Sequence, residues 1–207
     1  MRIGNVGSNS GLREQYVSRA EGKLAGAVRA FSYDFRGKTV LDIGSSTGGF
    51  TELALKLGAK RVIAVEKGTR QMKSPLRFDP RIELHEKTDF FDFACKFDVA
   101  LADVSFVSLE KILAHVRKFA DVKTDFLVML KPQFEAREEQ MVRGVVKNEK
   151  IRREIVKNFE RWLKVNGFLI VKKRDNDLRG RNGNLERFYW LKLAEKTSKK
   201  TAKNLDF

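Results

Sequence analysis

Short apolar runs alternate with helical stretches through the middle of the chain. Each run has the length of a buried strand, and together they cover residues 39–43, 61–65, 82–84, 97–102 and 125–130. A helical stretch follows the first run and ends at Leu57. Two others, at residues 69–77 and 109–119, follow the second and fourth runs. This alternation predicts an α/β fold with a mostly parallel sheet and helices on both faces.

The C-terminal third has a different pattern. Residues 133–147 are charged and without clear period, which predicts a loop, whereas residues 148–166 place apolar side chains at a 3.6-residue spacing. Two apolar runs then follow, at residues 168–171 and 187–193, with no helix between them. They predict an antiparallel hairpin joined by a basic segment, so that a seven-stranded sheet has an antiparallel last strand.

The two ends of the chain predict less structure. Residues 1–15 are rich in Gly, Ser and Asn and predict a flexible lead-in, and residues 195–207 predict a basic tail. Ser18 and Glu21 form a capping-box pattern that opens a helix, and Gly37 is expected to end it. One domain is therefore expected over residues 16–194.

The charge of the chain indicates its class of partner. Its 207 residues hold 42 Lys and Arg against 27 Asp and Glu, a net charge of +15. Such an excess favours nucleic acid or an anionic membrane surface, although a solvated basic surface would also explain it. With one cysteine, Cys95, no internal disulfide is possible, and a zinc site is not expected. The chain lacks a signal-peptide core and any apolar run long enough to span a bilayer, which predicts a cytoplasmic protein.

The strongest local signal is LDIGSSTGGF, residues 41–50, at the end of the first strand. Its glycines allow a ligand to approach the backbone, and the next helix presents free N–H groups. Ser46 stands where a dinucleotide motif has its second glycine, and the Asp42 carboxylate would repel a pyrophosphate. The turn therefore suits a ligand with positive charge, such as an amino group or a sulfonium.

Acidic residues follow the next two strands. Glu66 ends the second strand, where a carboxylate can accept hydrogen bonds from a ribose diol, and Asp89 follows the third, within expected reach of an adenine amino group. Together they favour S-adenosylmethionine over NAD. The structural alternatives are a tight strand–helix turn for the glycines, a surface carboxylate for Glu66 and a helix cap or turn residue for Asp89. The predicted cofactor site comprises Asp42, Gly44, Ser45, Ser46, Thr47, Gly48, Gly49, Phe50, Glu66, Lys67, Asp89 and Asp103.

Several motifs in order resemble the TlyA branch of the FtsJ-like RNA methyltransferases. They are SRAEGKLAGAV (18–28), LDIGSSTGGFT (41–51), ADVSFVSL (102–109), KPQFE (131–135) and GNLERFYWL (183–191). The resemblance covers residues 16–193 and implies a Rossmann-like fold that transfers methyl from S-adenosylmethionine to ribose 2'-hydroxyls of ribosomal RNA. The family's Lys-Asp-Lys-Glu catalytic set implies Lys23, Asp103, Lys131 and Glu186, with no metal.

The sequence departs from the family pattern in three places. Only about 15 residues precede the methyltransferase domain, where relatives usually carry a small RNA-binding domain, so RNA capture is expected from the basic surface or from a partner protein. The glycine-rich stretch after KPQFE reads AREEQMVRGVVKN here, and Asp89 stands where relatives often have Asn. These departures bear on the substrate more than on the chemistry.

Other residues are candidates for contact with RNA. The possible phosphate contacts are Arg70, Lys73, Arg77, Arg137, Arg143, Lys147 and the segment 172–181. Phe106 and Phe134 could stack on a base or pack beneath the site, and the FFDF run at 90–93 is expected in the core. A non-catalytic RNA-binding protein, a haemolysin-like membrane protein and a methyltransferase of another substrate are the rival functions.

Overall fold

A computed structural model describes residues 19–180 and 182–195, and its strands form a single seven-stranded sheet. In chain order the strands are β1 (Thr39–Ile43), β2 (Arg61–Val65), β3 (Ile82–His85), β4 (Val99–Ala102), β5 (Asp125–Leu130), β6 (Phe168–Asp175) and β7 (Arg187–Leu193). Their order across the sheet is β3-β2-β1-β4-β5-β7-β6. The first five are parallel, and β7 runs antiparallel to both β5 and β6. This confirms the predicted fold class.

Within the described residues, five α-helices lie on the two faces of the sheet. They are α1 (Arg19–Phe31), α2 (Gly49–Lys56), α3 (Ser74–Arg77), α4 (Leu109–Val116) and α5 (Glu149–Val165). The apolar stripe of α5 faces the sheet, and Asn148 caps the helix by accepting hydrogen bonds from the backbone of Lys150 and Ile151 at 2.9 and 3.3 Å.

The core is split into two layers by the sheet. Along β1, Leu41 and Ile43 face a layer formed with α4 and α5, and Val40 faces a layer formed with α1 and α2. All three are almost completely buried. Because both faces are covered, ligands can reach the sheet at its edges and ends, and the carboxyl ends of β1, β2, β4 and β5 lie together at one end.

Several predicted boundaries are wrong. Helix α1 ends at Phe31 rather than near Gly37, because Ser32 adopts a left-handed conformation with φ 54°. Helix α3 covers only the second half of residues 69–77, since Arg70 is also left-handed. Strand β6 continues to Asp175 because it pairs with the whole of β7.

Further differences concern the ends of β4 and α4 and the two ends of the chain. Strand β4 begins at Val99 rather than at residue 97, and the predicted helix 109–119 ends in a 3-10 turn at Arg117–Phe119. Ser18 of the proposed capping box, the lead-in 1–15 and the tail beyond residue 195 lie outside the described residues. The division into lead-in, domain and tail stays a prediction.

Candidate active site

The turn between β1 and α2 has the backbone conformation that its glycines predict. Gly44 and Gly48 have φ of 75° and 90°, and Ser46 is also left-handed at 47°. A Cβ on Gly44 would lie 3.5 Å from the Val104 side chain, so the turn packs directly against the loop after β4. The turn therefore brings its backbone close to the ends of both β1 and β4.

A buried hydroxyl without a partner lies in this turn. Ser45 is 5% exposed, and its Oγ has no hydrogen-bond partner among residues 19–180 and 182–195. Buried polar atoms are rarely left unpaired, so such an atom at a strand end is suited to bind a ligand. The Phe50 side chain, in contrast, packs into the core 6.0 Å from the Phe188 ring, which limits its contribution to the backbone.

Asp42 lies beneath the turn rather than projecting into open space. Its carboxylate is buried and accepts a hydrogen bond from the Thr51 hydroxyl at 2.6 Å. Burial, together with the nearby Asp103 and Glu66 carboxylates, raises the pKa of Asp42 to about 7, although its hydrogen bonds from Thr51 act in the opposite direction. Three carboxyl groups therefore lie near one another at this end of the sheet, and Asp42 keeps its proton up to about pH 7.

Glu66 ends β2 beside the turn. Its carboxylate accepts hydrogen bonds from the backbone of Ser46 at 3.0 Å and of Gly68 at 2.7 Å. The Gln71 amide donates to the same carboxylate at 3.3 Å and accepts from the Ser46 hydroxyl at 3.2 Å. Gln71 therefore joins the turn to Glu66, a contact that the sequence reading missed because Gln71 lies outside its motifs.

Asp89 and Lys67 form the outer part of the predicted cofactor site. Asp89 accepts a hydrogen bond from the Phe91 backbone and pairs with the Lys67 ammonium at 2.9 Å. The pKa of Asp89 is lowered, chiefly by its hydrogen bond from Lys67. In these contacts Asp89 acts as the cap of a 3-10 turn, which was the structural alternative, and its role toward adenine stays a prediction.

Lys131 and Asp103 form the first of two lysine–carboxylate pairs. Lys131 follows β5, Asp103 follows β4, and the ammonium lies 2.7 Å from the Asp103 carboxylate. The Lys131 ammonium also donates to the Ser105 hydroxyl at 3.0 Å, and the Phe134 ring centre is 5.7 Å away. The Lys131 side chain is 11% exposed, so it is largely withdrawn from water but still open on one side.

Lys23 and Glu186 form the second pair. Lys23 comes from α1, Glu186 immediately precedes β7, and their charged groups are in direct contact. Both residues are buried, at 8% and 2% exposed. A Cβ on Gly180 would lie 2.7 Å from the Glu186 carboxylate, so only glycine allows the neighbouring loop to pack this closely.

The sheet register brings the two pairs side by side. Leu130 of β5 is directly opposite Arg187 of β7, so Lys131 and Glu186 occupy the next positions on adjacent strands. Strand β4 pairs with the other edge of β5, with Ala102 opposite Val128, and Asp103, the residue after β4, reaches the Lys131 side chain from that side. The structure therefore brings Lys23, Asp103, Lys131 and Glu186 to the same end of the sheet as the glycine turn.

The predicted aromatic residues differ in exposure. Phe106 is 92% exposed with φ of 64°, and its ring lies 5.3 Å from the half-buried Phe134 ring. Phe106 is therefore on the surface and does not pack beneath the site. In the FFDF run, Phe90 is buried as expected, whereas Phe91 is 42% exposed, so the core prediction is wrong for Phe91.

The Asn184 side chain joins two basic loops beside Glu186 by hydrogen bonds. The buried Asn184 amide accepts from the Val146 backbone and donates to the Gly144 carbonyl, both at 3.0 Å. This fixes a tight turn at residues 142–145 that presents Arg143 to solvent. Arg143 and Lys147 have no ion-pair partner within the described part of the chain.

This sheet order, with a glycine turn and acidic residues at the carboxyl ends of the parallel strands, defines a Rossmann-like nucleotide-cofactor enzyme. A family model, the FtsJ-like methyltransferase, matches residues 16–193. The chain belongs to the FtsJ-like methyltransferase family. This confirms the predicted class of enzyme and its predicted methyl donor, S-adenosylmethionine.

Individual relatives agree with this assignment. The chain is 34% identical to a 23S rRNA (cytidine-2'-O)-methyltransferase TlyA of Campylobacter jejuni, covering 86% of this chain and 72% of that protein. It is 36% identical to a 16S/23S rRNA (cytidine-2'-O)-methyltransferase TlyA of Mycobacterium tuberculosis, covering 86% and 68%. A solved structure from Streptococcus thermophilus, described as a hemolysin, superimposes with a TM-score of 0.83 at 32% identity, covering 91% and 70%.

Proposed function

We propose that this chain transfers a methyl group from S-adenosylmethionine to a ribose 2'-hydroxyl of ribosomal RNA in the cytoplasm. The observation that carries the proposal is the pair of lysine–carboxylate contacts, Lys131 with Asp103 and Lys23 with Glu186, beside the glycine turn. The rRNA 2'-O-methyltransferases among the relatives support the substrate class. The net charge of +15 supports a polyanionic partner.

The residues around the glycine turn fit the donor. The unpaired Ser45 hydroxyl and the left-handed backbone provide polar contacts at the end of β1, and Glu66 offers a carboxylate to a ribose diol. The interacting carboxylates of Asp42, Glu66 and Asp103 favour a ligand of positive charge. When bound, S-adenosylmethionine supplies an electrophilic methyl group on a sulfonium.

Lys131 is the proposed base. A ribose hydroxyl is a poor nucleophile, and a positioned base accelerates such reactions by about 10²–10⁴-fold. In its neutral form the Lys131 amine has a lone pair that can accept the hydroxyl proton. Asp103 then pairs with the ammonium that results.

Lys23 and Glu186 are proposed to fix the sugar. Glu186 lies next to Lys131 across β5 and β7, so a hydroxyl held between them is oriented by both. The buried Lys23 charge keeps the Glu186 carboxylate in one position. Correct orientation can contribute up to about 7–11 kcal/mol to catalysis.

RNA capture is proposed for the surface around Asn184 and Phe106. Arg143 and Lys147 project from the fastened loops and can pair with phosphates. The exposed Phe106 ring is available to stack on a base of the target strand. The basic surface, or a partner protein that presents the RNA, would then hold the substrate.

Two other functions receive less support. A non-catalytic RNA-binding protein would not need two lysine–carboxylate pairs beside the glycine turn. A haemolysin-like role finds no membrane-spanning helix to support it, because no helix within residues 19–180 and 182–195 has both the length and the apolar character required. Release of dye from liposomes would support the haemolysin function, and its absence together with methyl transfer would exclude it as the main activity.

The deciding experiment is transfer of tritiated methyl from S-adenosylmethionine. The substrates are naked ribosomal RNA, each ribosomal subunit and assembled ribosomes, followed by mapping of the labelled nucleotide. Label in a 2'-O-methyl nucleoside would support the proposal, and the preferred substrate would show whether a partner presents the RNA. Label on a base, or on no RNA despite donor binding by calorimetry, would contradict it.

A further inference from the structure

The Lys131 nitrogen has a neighbour that is not part of the lysine–carboxylate set. Besides Asp103 at 2.7 Å, it donates to the Ser105 hydroxyl at 3.0 Å and approaches the Asp103 carbonyl at 3.5 Å. Ser105 follows Asp103 by two residues, in the loop after β4. Lys131 is therefore held from one side by a single loop, which contributes all three oxygens.

The number of hydrogens on the Lys131 nitrogen determines what these acceptors do. A protonated lysine has three N–H donors, whereas the neutral amine has two N–H donors and one lone pair. If the Ser105 hydroxyl and the Asp103 carbonyl, the two hydrogen-bond acceptors of the Lys131 nitrogen, accept its two N–H groups, the lone pair must occupy the remaining tetrahedral direction. With Asp103 alone, the amine could rotate about its terminal bond and the lone pair would have no fixed direction.

The loop that carries Ser105 is itself held in place. Val104 is buried against the glycine turn, and the Leu109 backbone donates to the Glu135 carboxylate at 2.7 Å. That hydrogen bond ties the start of α4 to the segment that begins with Lys131. Ser105 and Lys131 therefore keep their relative position without depending on a ligand.

We propose that Ser105 is a positioning residue, whose hydroxyl directs the lone pair of the neutral Lys131 amine toward the ribose 2'-hydroxyl. The inference rests on the proposed function, because it takes Lys131 as the base. No covalent step is added: the proton passes from the ribose hydroxyl to Lys131, and Ser105 remains a hydrogen-bond acceptor throughout. Ser105 is exposed, so a methyl group added at its Cβ has room.

The test compares Ser105→Ala with Ser105→Thr. Removing the hydroxyl should lower kcat about tenfold, the loss of one orienting hydrogen bond, and leave the KM for RNA and the Kd for S-adenosylmethionine within about twofold. Threonine keeps the hydroxyl and should restore kcat to within about twofold of the natural protein. Ser74→Ala, at an exposed serine of α3, is the matched control and should change none of these values.

Each outcome bears on one hypothesis. An unchanged kcat in Ser105→Ala, or a rise in KM alone, would overturn the positioning role, the latter indicating direct contact with RNA. Failure of threonine to restore kcat would also overturn it if both variants unfold at the same temperature as the natural protein. The base assignment is tested separately by Lys131→Ala, so an active Lys131→Ala would refute the proposed function rather than the role of Ser105 alone.

Discussion

Lys23 and Glu186, which are 163 positions apart in the chain, form one buried ion pair beside the glycine turn. A buried charge that loses its partner is strongly destabilised, so Lys23→Ala and Glu186→Ala should each lower the free energy of unfolding by about 3–5 kcal/mol. The double variant Lys23→Met/Glu186→Leu should recover much of this loss, because no unpaired charge remains.

Activity should not follow stability in this series. If the pair also orients the sugar, the double variant should fold well but transfer no methyl. Urea unfolding and the methyl-transfer assay on the natural protein, the two single variants and the double variant measure both quantities. A double variant that is both stable and active would assign the pair a purely structural role.

Lys131 variants separate the base from the positive charge. Lys131→Ala should abolish methyl transfer and leave the Kd for S-adenosylmethionine nearly unchanged. Lys131→Arg keeps a cation that remains protonated in proteins and should also be inactive if a base is required. Lys111→Ala, at an exposed lysine of α4, is the control for loss of one charge. Normal turnover in Lys131→Arg would show that charge, not proton transfer, is what the reaction needs.

Asp42 should make stability dependent on pH. The pKa of its carboxyl is raised from 3.8 to about 7 by burial, so the folded protein holds a proton there that the unfolded chain has released. The free energy of unfolding should therefore fall as the pH rises from about 4 to about 7, and level off above that. Asp42→Asn stays neutral throughout and should reduce this fall, as urea unfolding at pH 5 and pH 8 would show.

The same position should influence the cofactor. Asp42→Ala should weaken binding of S-adenosylmethionine, because it removes a buried carboxyl group from beneath the glycine turn and leaves the Thr51 hydroxyl unpaired. Calorimetry measures the change, and an unaltered Kd would limit Asp42 to a structural role.

Asn184 should couple RNA binding to the loops around Glu186. Asn184→Leu removes both amide hydrogen bonds to residues 144 and 146 and should weaken RNA binding several-fold while leaving the cofactor Kd unchanged. Arg143→Ala should weaken RNA binding and reduce the slope of log affinity against log salt by about 0.9 if it contacts one phosphate. The exposed Asn182→Leu is the control. Equal affinity in Asn184→Leu and Asn182→Leu would exclude the loops from the RNA surface.

Phe106 should matter for the substrate and little for folding. It is 92% exposed, so Phe106→Ala should change the unfolding temperature by no more than a degree or two, yet raise the KM for RNA about tenfold if the ring stacks on a base. Phe78→Ala removes another exposed ring, at 75%, on a different loop and is the matched control. A similar KM in the two variants would argue against stacking.

Much of the fold could be predicted because the strands are buried on both faces. Residues 39–43, 61–65 and 125–130 read as apolar runs of fixed length, and the structure has strands with those same bounds. Helix ends were harder, because Ser32 and Arg70 adopt left-handed conformations that are uncommon for residues other than glycine. Nothing in their type indicates where a helix stops.

The site was predictable to the extent that motifs carry it. The four residues of the two pairs come from four separate segments, and their convergence depends on the register of β5 with β7, which periodicity does not specify. Ser105 lies within the ADVSFVSL motif, yet the motif does not predict its role, since its contact with Lys131 depends on the path of the loop. Gln71 and Asn184 act through side-chain amides whose partners are distant in sequence or lie on another loop.

The insertion of β7 between β5 and β6 also sets an order of events during synthesis. A ribosome that has made the chain as far as Lys131 has already supplied three of the four converging side chains, yet the carboxylate that neutralises Lys23 is still 55 residues from being translated. Until β7 has paired with β5, the Lys23 ammonium, which is buried in the folded protein, lacks Glu186 as its counter-ion. The nascent protein should therefore stay open at this corner and become competent for catalysis only after β7 has been made.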